Sequence, residues 1–212
     1  MLIHRHDAAY SPDEWRAFLA GHDFGELVAA GRGREVPVIV PTHFIYDGQT
    51  TVRLHLAGPN PVWEALAENP LAIISVYGDH TYIPTGWNAN AGVPPEHGIP
   101  TSYYAAVQLI VRCRIVDEPT QLAAILSAQL AHFQPQGGHA PVVAGADPYG
   151  RHLAGIRGLV CEVEDVHAKF KYGGNKSVEH RERIAARLAD RGRPGDAEAR
   201  AQVVRRIVER SR

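Results

Sequence analysis

Several segments of the chain show the apolar patterns of β-strands, some of them by alternation of apolar and polar residues. In 51–56, for example, Val52, Leu54 and Leu56 fall on one face, and Asp47-Gly48 before them is a strong hairpin signal. Consecutive strands joined by tight turns predict an antiparallel sheet in meander order. The same reasoning predicts strands over 26–30, 36–46, 51–56, 71–77, 81–84, 105–116 and 156–171, with a turn at Gly78-Asp79.

Other segments have the caps and apolar spacing of α-helices. Ser11-Pro12-Asp13-Glu14 combines a capping serine with a proline at the first helical position, and Gly21 is a plausible stop. Further helices are predicted over 61–69, 118–132, 177–190 and 196–210, and long loops over 86–100 and 134–150. The sum is a mainly β fold with helices, a small antiparallel β-barrel. We expect a body over 1–190 and an arginine-rich tail over 191–212.

Composition narrows the class of protein. The 212 residues are 45% hydrophobic and 21% charged with a net charge of −1, as in an ordinary globular protein without a general attraction to nucleic acid. No apolar run approaches the roughly 18 residues of a membrane span. Cys113 and Cys161 stand singly in apolar strands, which indicates buried reduced thiols and a cytoplasmic protein. The 12 histidines lack the spacing of metal ligands, so no metal site is expected.

Several stretches, in a consistent order, resemble one known family. They are His-Leu-Ala-Gly-Pro-Asn-Pro-Val-Trp (55–63), Tyr-Gly-Asp-His-Thr-Tyr-Ile (77–83), Trp87, Ile-Pro-Thr-Ser-Tyr-Tyr-Ala-Ala-Val (99–107), Ala-Lys-Phe-Lys (168–171) and Asn-Lys (175–176). Together they are similar to the PaiB family of FMN-binding negative transcriptional regulators. That family belongs to the split-barrel superfamily of pyridoxamine-phosphate oxidase and the flavin reductases. The resemblance implies an FMN-binding split barrel that forms a homodimer, with FMN between the subunits.

The resemblance also implies where FMN would lie. Its phosphate is expected near the turn that follows 51–56, and its ring against 36–46 and the partner chain. The candidate cofactor-binding residues are therefore Pro41, Thr42, His43, Leu56, Ala57, Gly58, Asn60, Tyr82 and Trp87. Each group has a structural alternative: a bulge with an exposed histidine at 41–43, a cap for the helix after Asn60, and aromatic filling of a dimer seam by Tyr82 and Trp87.

This chain departs from the family pattern at four places. Gly58-Pro59 replaces the usual Arg or Lys, and losing that charged contact to phosphate predicts an FMN affinity about tenfold to a hundredfold lower. The other departures are Ser102-Tyr103-Tyr104, Asn88 and Gly173-Gly174-Asn175. Lys169, Lys171 and Lys176 surround the last of these and either replace the missing charge or form a solvated strand end.

Two function classes stay open, with the protein's status as an enzyme undecided. One is a PaiB-type regulator, and the other is an FMN-dependent oxidoreductase such as a flavin reductase or a pyridoxamine-phosphate-oxidase-like enzyme. DNA is a third conceivable partner, because 181–212 is rich in arginine. Interleaved acids favour a salt-bridged helix there, and no helix-turn-helix pair is evident. The expected partners are a second copy of the chain and a small-molecule ligand.

Overall fold

The computed structural model describes residues 1–210, apart from the side chains of Asp79 and Arg210; Ser211 and Arg212 of the predicted tail lie outside it. The chain forms two compact units. Unit 1 comprises 1–15, 77–107 and 168–210 of the described chain, and unit 2 comprises 16–76 and 108–167. The boundary predicted at residue 190 falls inside one helix, Val178–Arg191.

The strands are β1 (Phe24–Ala29), β2 (Val38–His43), β3 (Ile45–Tyr46), β4 (Thr51–Ala57), β5 (Leu71–Ile83), β6 (Thr101–Val116) and β7 (Ile156–Lys171). They form one antiparallel sheet in the order β2-β1-β5-β6-β7-β4-β3. The three longest strands, β5, β6 and β7, occupy its centre.

Phe44 explains why this sheet curls. β2 and β3 stand at opposite ends of the strand order, yet Phe44 alone separates them in the chain. The two edges of the sheet must therefore approach each other, as a split barrel requires. Phe44 is fully buried, and its N–H donates to the carbonyl of Asp23. The single strand predicted over 36–46 is thus wrong, because the chain passes from one edge to the other at this residue.

The meander order is also only partly right. β5, β6 and β7 follow one another, but β4 pairs with β7 from Thr51↔Glu162 to Ala57↔Ile156. The hairpin at Asp47-Gly48 is confirmed: the Asp47 carboxylate accepts three backbone N–H groups, from residues 49 to 51. The turn predicted at Gly78-Asp79 is wrong. Gly48 has a positive φ of 79°, whereas Gly78 is not among the positive-φ glycines and continues β5.

The helices agree closely with their predicted ranges. They are α1 (Pro12–Ala20), α2 (Val62–Glu68), α3 (Thr85–Asn88), α4 (Pro119–Phe133), α5 (Gly150–Leu153), α6 (Val178–Arg191) and α7 (Asp196–Arg210). The short helices α3 and α5 lie in or beside segments predicted as loops, as does the 3-10 turn Pro95–His97. None of the helices described over 1–210 is long and apolar enough to cross a bilayer.

Packing in unit 2 follows the alternation of β4. Val52 and Leu54 are fully buried and Leu56 nearly so, which confirms the predicted inner face. The outer face carries Arg53 and His55, and α4 packs against the same strand. The His55 ring nitrogen Nδ1 lies 2.5 Å from the side-chain oxygen of Gln129 on α4.

Candidate functional site

An exposed cluster of aromatic rings surrounds His43 at the end of β2. The His43 ring meets Phe24 of β1 and Phe133 at the end of α4, with centroids 4.8 Å away in both cases and edge-on geometry. Phe24 is 53% exposed and Phe133 36% exposed. We call Phe24, His43, His132 and Phe133 the His43 platform. Phenylalanine rings are mostly buried in globular proteins, so an exposed cluster of aromatic rings is typical of a binding surface.

Asp23 lies beside both imidazoles of the platform. Its Oδ2 atom lies 2.9 Å from Nε2 of His132, and its Oδ1 atom lies 3.9 Å from Nδ1 of His43. The contact with His132 is a hydrogen bond, whereas the approach to His43 is longer than one. These three side chains do not form a metal site, since no group of three possible ligands among the described residues is arranged to hold an ion.

Sequence reasoning found only one member of this platform. Asp23 precedes β1 and Phe24 opens it, and His132 and Phe133 close α4 more than a hundred residues later. The β1–β2 register places Phe24 directly opposite His43. Nothing local in the sequence connects these segments. The sequence signal was limited to a phenylalanine at the start of β1 and another at the end of α4.

Pro41 and Thr42 precede His43 on the same edge strand. Pro41 is exposed, where its missing N–H costs the sheet nothing. The Thr42 side chain is buried, and its hydroxyl donates to the carbonyl of His43 at 3.0 Å. Of the three residues predicted on this strand, His43 therefore presents an exposed polar side chain beside Asp23, and the Thr42 hydroxyl bonds its backbone carbonyl.

The connector between β4 and α2 contains the residues predicted to hold a phosphate. The Gly58 N–H donates to the carbonyl of Gly155 at 2.8 Å, and the Asn60 N–H donates to that of Ala57 at 3.1 Å. The Asn60 side-chain oxygen accepts from the N–H of Val62 at 3.0 Å, so the predicted capping role is confirmed. Leu56 is buried in the sheet. What the connector leaves unused among the described contacts is the side-chain amide N–H₂ of Asn60.

Arg157, which borders the same cavity as Gly58, is already paired. Arg157 binds Asp117 through two contacts of 2.6 Å. The hydrogen bonds raise the pKa of the Arg157 guanidinium and lower the pKa of the Asp117 carboxyl group. The same guanidinium lies over Trp63 of α2, 5.1 Å from the ring centroid. Trp63 in turn donates its indole N–H to the carbonyl of Ala57. This arrangement fixes the shape of the connector and leaves little free positive charge there.

Tyr82 and Trp87 both lie in unit 1. Tyr82 is 57% exposed on β5, and its carbonyl accepts from Arg191 at 2.9 Å. Trp87, in α3, lies beneath the guanidinium groups of Arg191 and Arg187, at 4.6 and 5.9 Å from its ring centroid. The aromatic face of Trp87 is therefore occupied by cations, while Tyr82 stays open to solvent.

Comparison with known proteins identifies the family. Residues 1–165 match the family described as "Putative FMN-binding domain". The chain belongs to this FMN-binding domain family. It is also 23% identical over 180 residues to the protease synthase and sporulation protein PAI 2 of Bacillus subtilis, covering 84% of each chain. The resemblance to PaiB is thereby confirmed.

Solved structures support the split-barrel fold of this family member. The FAD and heme binding protein from Mycobacterium smegmatis superimposes with a TM-score of 0.60 at 19% identity, over 85% of this chain and 80% of that one. The flavocytochrome Anf3 from Azotobacter vinelandii gives 0.59 at 17% identity, over 79% and 72%. The antiparallel FMN-binding split barrel and FMN as the cofactor of this family are confirmed.

Proposed function

We propose that this chain is a PaiB-type flavin protein that holds FMN between two copies of itself, with the flavin ring on the His43 platform. The observation that carries the proposal is the exposed cluster of Phe24, His43 and Phe133. A flavin ring is flat, apolar on its faces and polar along one edge. The two phenylalanines offer apolar contact, and the exposed imidazole of His43 offers a hydrogen bond to the polar edge.

The phosphate of FMN makes a different demand. A phosphate monoester carries about −1.5 to −2 charge at pH 7 and seeks cations or several N–H donors. The connector at Ala57–Asn60 does not fit it alone, because the Gly58 and Asn60 N–H groups are already used and Arg157 is bound to Asp117. The Asn60 amide supplies one donor. The remaining positive charge comes, in this proposal, from a second copy.

The exposed edge of the sheet supports a second copy as the occupant. Ile39 on β2 is 53% exposed, and Val36 just before it is 72% exposed. Pro37 and Pro41 remove N–H groups from this edge, which discourages another chain from extending the sheet. The edge is thus suited to side-chain packing against a symmetric partner, and it adjoins the His43 platform through His43 itself.

A regulatory output through DNA receives no support from the C-terminal arginines. Arg191 is bound to Asp196, and Arg205 to Glu14 and Glu209. Arginines neutralised in this way contribute little to phosphate contacts.

The decisive measurement is a flavin titration of purified protein, followed by fluorescence quenching and combined with the mass in solution. We expect FMN to bind to a dimer. Phe133→Ala should weaken flavin binding about tenfold, because it removes one ring of the platform. Val143→Ala, which shortens an exposed apolar side chain elsewhere in unit 2, should not change it. A monomer that ignores excess FMN would overturn the proposal.

An FMN-dependent oxidoreductase is the second candidate. It is favoured by the pair His43 and His132 beside Asp23, since an imidazole at a flavin edge can donate or accept the proton that accompanies hydride transfer. The assay is oxidation of NADH or NADPH with FMN added. Turnover that falls in Asp23→Asn supports this role, and absence of turnover in protein with bound FMN excludes it.

A further inference from the structure

A second site of different chemistry lies wholly inside unit 1. A cavity of about 440 Å³ opens where the N-terminal segment, the start of β6 and the turn after β7 meet. Polar and apolar groups both line it. The lining includes His6, Asp7, Tyr103, Lys171, Gly173 and Lys176.

The cavity gathers lysine to an unusual degree. The chain has three lysines, at 169, 171 and 176, and two of them line this cavity. The Lys176 ammonium contacts neutral oxygens only, the side chain of Asn90 at 3.0 Å and the carbonyl of Asn88 at 3.4 Å. The Lys171 ammonium lies 5.9 Å from the Tyr104 ring. Neither has a carboxylate within 4.0 Å among the described residues, so both charges are available to a ligand.

Tyr103 supplies an independent sign of a ligand. Its side chain is 1% exposed, and its hydroxyl has no hydrogen-bond partner among the described residues. Leaving such a donor unpaired costs about 1–3 kcal/mol. Burial raises the pKa of this phenol to about 12, so the hydroxyl keeps its proton and can donate. A ligand oxygen in the cavity would satisfy it.

The glycines of the turn make the space. Gly173 has a φ of +71°, and a β-carbon there would lie 2.3 Å from the Tyr103 hydroxyl. A β-carbon on Gly174 would lie 2.1 Å from the carbonyl of His6. Only glycine at both positions allows the N-terminal segment and the tyrosine to border the same cavity. This is the turn at which the chain departs from the PaiB pattern.

One acid also borders the cavity. Asp7 is buried, and its carboxylate lies 3.8 Å from Nε2 of His6. Two lysine ammonium groups and one carboxylate therefore line the cavity, so its lysines outnumber its acids.

We propose that this cavity binds the phosphate end of a small organic molecule between Lys171, Lys176 and the Tyr103 hydroxyl. Two flexible ammonium groups and one neutral donor suit a phosphate monoester, which has three terminal oxygens to share among them. The volume is within the usual range for a site that binds a small molecule. The proposal does not depend on the flavin placed at the His43 platform.

The test uses the full-length protein and two probes, inorganic phosphate and glycerol 3-phosphate, with glycerol as the uncharged control. Binding is followed by calorimetry and by ³¹P line broadening. Both phosphates should bind and glycerol should not. Lys171→Met and Lys176→Met should each weaken binding about tenfold or more. Arg183→Met removes an exposed positive charge of unit 1 outside the cavity and should have no effect.

Tyr103→Phe separates a binding role from a structural one. We expect it to weaken phosphate about tenfold without lowering the melting temperature, because the hydroxyl it removes has no partner in the described structure. Phosphate binding that is absent at 10 mM, roughly the upper end of weak specific binding, would overturn the proposal. The proposal would also be overturned if Arg183→Met weakened phosphate binding as much as Lys171→Met or Lys176→Met does.

Two further arms identify the source of the phosphate. FMN and riboflavin differ only by this group. If Lys176→Met weakens FMN and leaves riboflavin unchanged, the occupant is the flavin's own phosphate. If glycerol 3-phosphate binds equally well to protein saturated with FMN, the occupant is a second molecule. If neither probe binds, the cavity is not a phosphate site.

Discussion

A β-carbon added to Gly173 would lie 2.3 Å from the hydroxyl oxygen of Tyr103. This approach ties the turn after β7 to the first residues of β6 inside unit 1. The backbone of Gly173 is also left-handed, with a φ of +71°. Two separate costs therefore meet at one position, a conformational one that any side chain would incur and a steric one specific to Tyr103.

Gly173→Ala should lower the free energy of unfolding by about 2–4 kcal/mol. About 1 kcal/mol comes from the left-handed backbone, and the rest comes from displacing a buried ring. The measurement is denaturant unfolding. Gly137→Ala is the matched control, because Gly137 has a similar φ of +73° but nothing within 4 Å of its added β-carbon. Equal losses in the two variants would show that Tyr103 does not oppose the new methyl group.

Asp196 should make unit 1 sensitive to acid. Its buried carboxylate accepts from Arg191 at 2.6 Å and from the Thr81 hydroxyl at 2.5 Å, and Arg191 holds its pKa well below the usual range. A lowered pKa contributes stability that is present above the unfolded value of about 3.9 and is lost as pH falls through the folded value. Melting temperatures should therefore decline below about pH 4.

Asp196→Asn should remove this part of the pH dependence and lower the free energy of unfolding at pH 7 by about 3 kcal/mol, since it leaves Arg191 without its buried partner. Asp190→Asn, on the exposed face of α6, serves as the control and should change either quantity little. An unchanged acid limb in Asp196→Asn would assign the acid sensitivity to another group.

Local patterns were enough to locate most elements of the fold. The range 196–210 and the strand 156–171 coincide with α7 and β7, because caps, periodicity and breakers act over a few residues. The errors arose where contacts between segments distant in sequence determine the backbone conformation. The break at Phe44 follows from closing the sheet, and the extended backbone at Gly78 follows from a strand that continues beyond the glycine. Neither feature can be predicted from the residues next to Phe44 or Gly78.

The candidate site divides in the same way. His43 could be chosen from its strand and from the family resemblance, whereas Asp23 and Phe133 join it through sheet register and helix packing. The connector at Gly58 illustrates the converse. Its residues were predicted to lie near the FMN phosphate, but the Gly58 N–H is used by the carbonyl of Gly155, in a loop about a hundred residues away. Lys171 and Lys176 were noticed in the sequence as a possible source of positive charge, but only the structure places Tyr103 beside them.

Cys113 and Cys161 should be unreactive thiols in the folded protein. Both are buried in unit 2, with their sulfur atoms 2.9 Å apart, and the neighbouring thiol together with burial raises the pKa of Cys161. Because the thiolate is the reactive form, a disulfide reagent at pH 8 should modify almost none of the native thiol in minutes. The same reagent should modify both cysteines once guanidinium unfolds the chain. Rapid native reaction would indicate that this strand pair opens to solvent.

Glu14 should prove to be the principal tie between the N-terminal segment and α7. Its carboxylate accepts from Arg205 at 2.5 Å and also from Arg206, which is 1% exposed and lies 3.8 Å from the centre of the Tyr10 ring. Glu14→Gln leaves a buried guanidinium without its counter-charge, so we expect a loss of about 3–5 kcal/mol in the free energy of unfolding.

The comparison that isolates this effect is Asp13→Asn, which removes a neighbouring exposed carboxylate from the same helix turn. It should cost less than about 1 kcal/mol. Hydrogen exchange gives a local readout, because amides of α7 should exchange faster in Glu14→Gln while those of β4 in unit 2 keep their protection. Uniform acceleration across both units would mean that the ion pair stabilises the whole chain and does not specifically anchor α7.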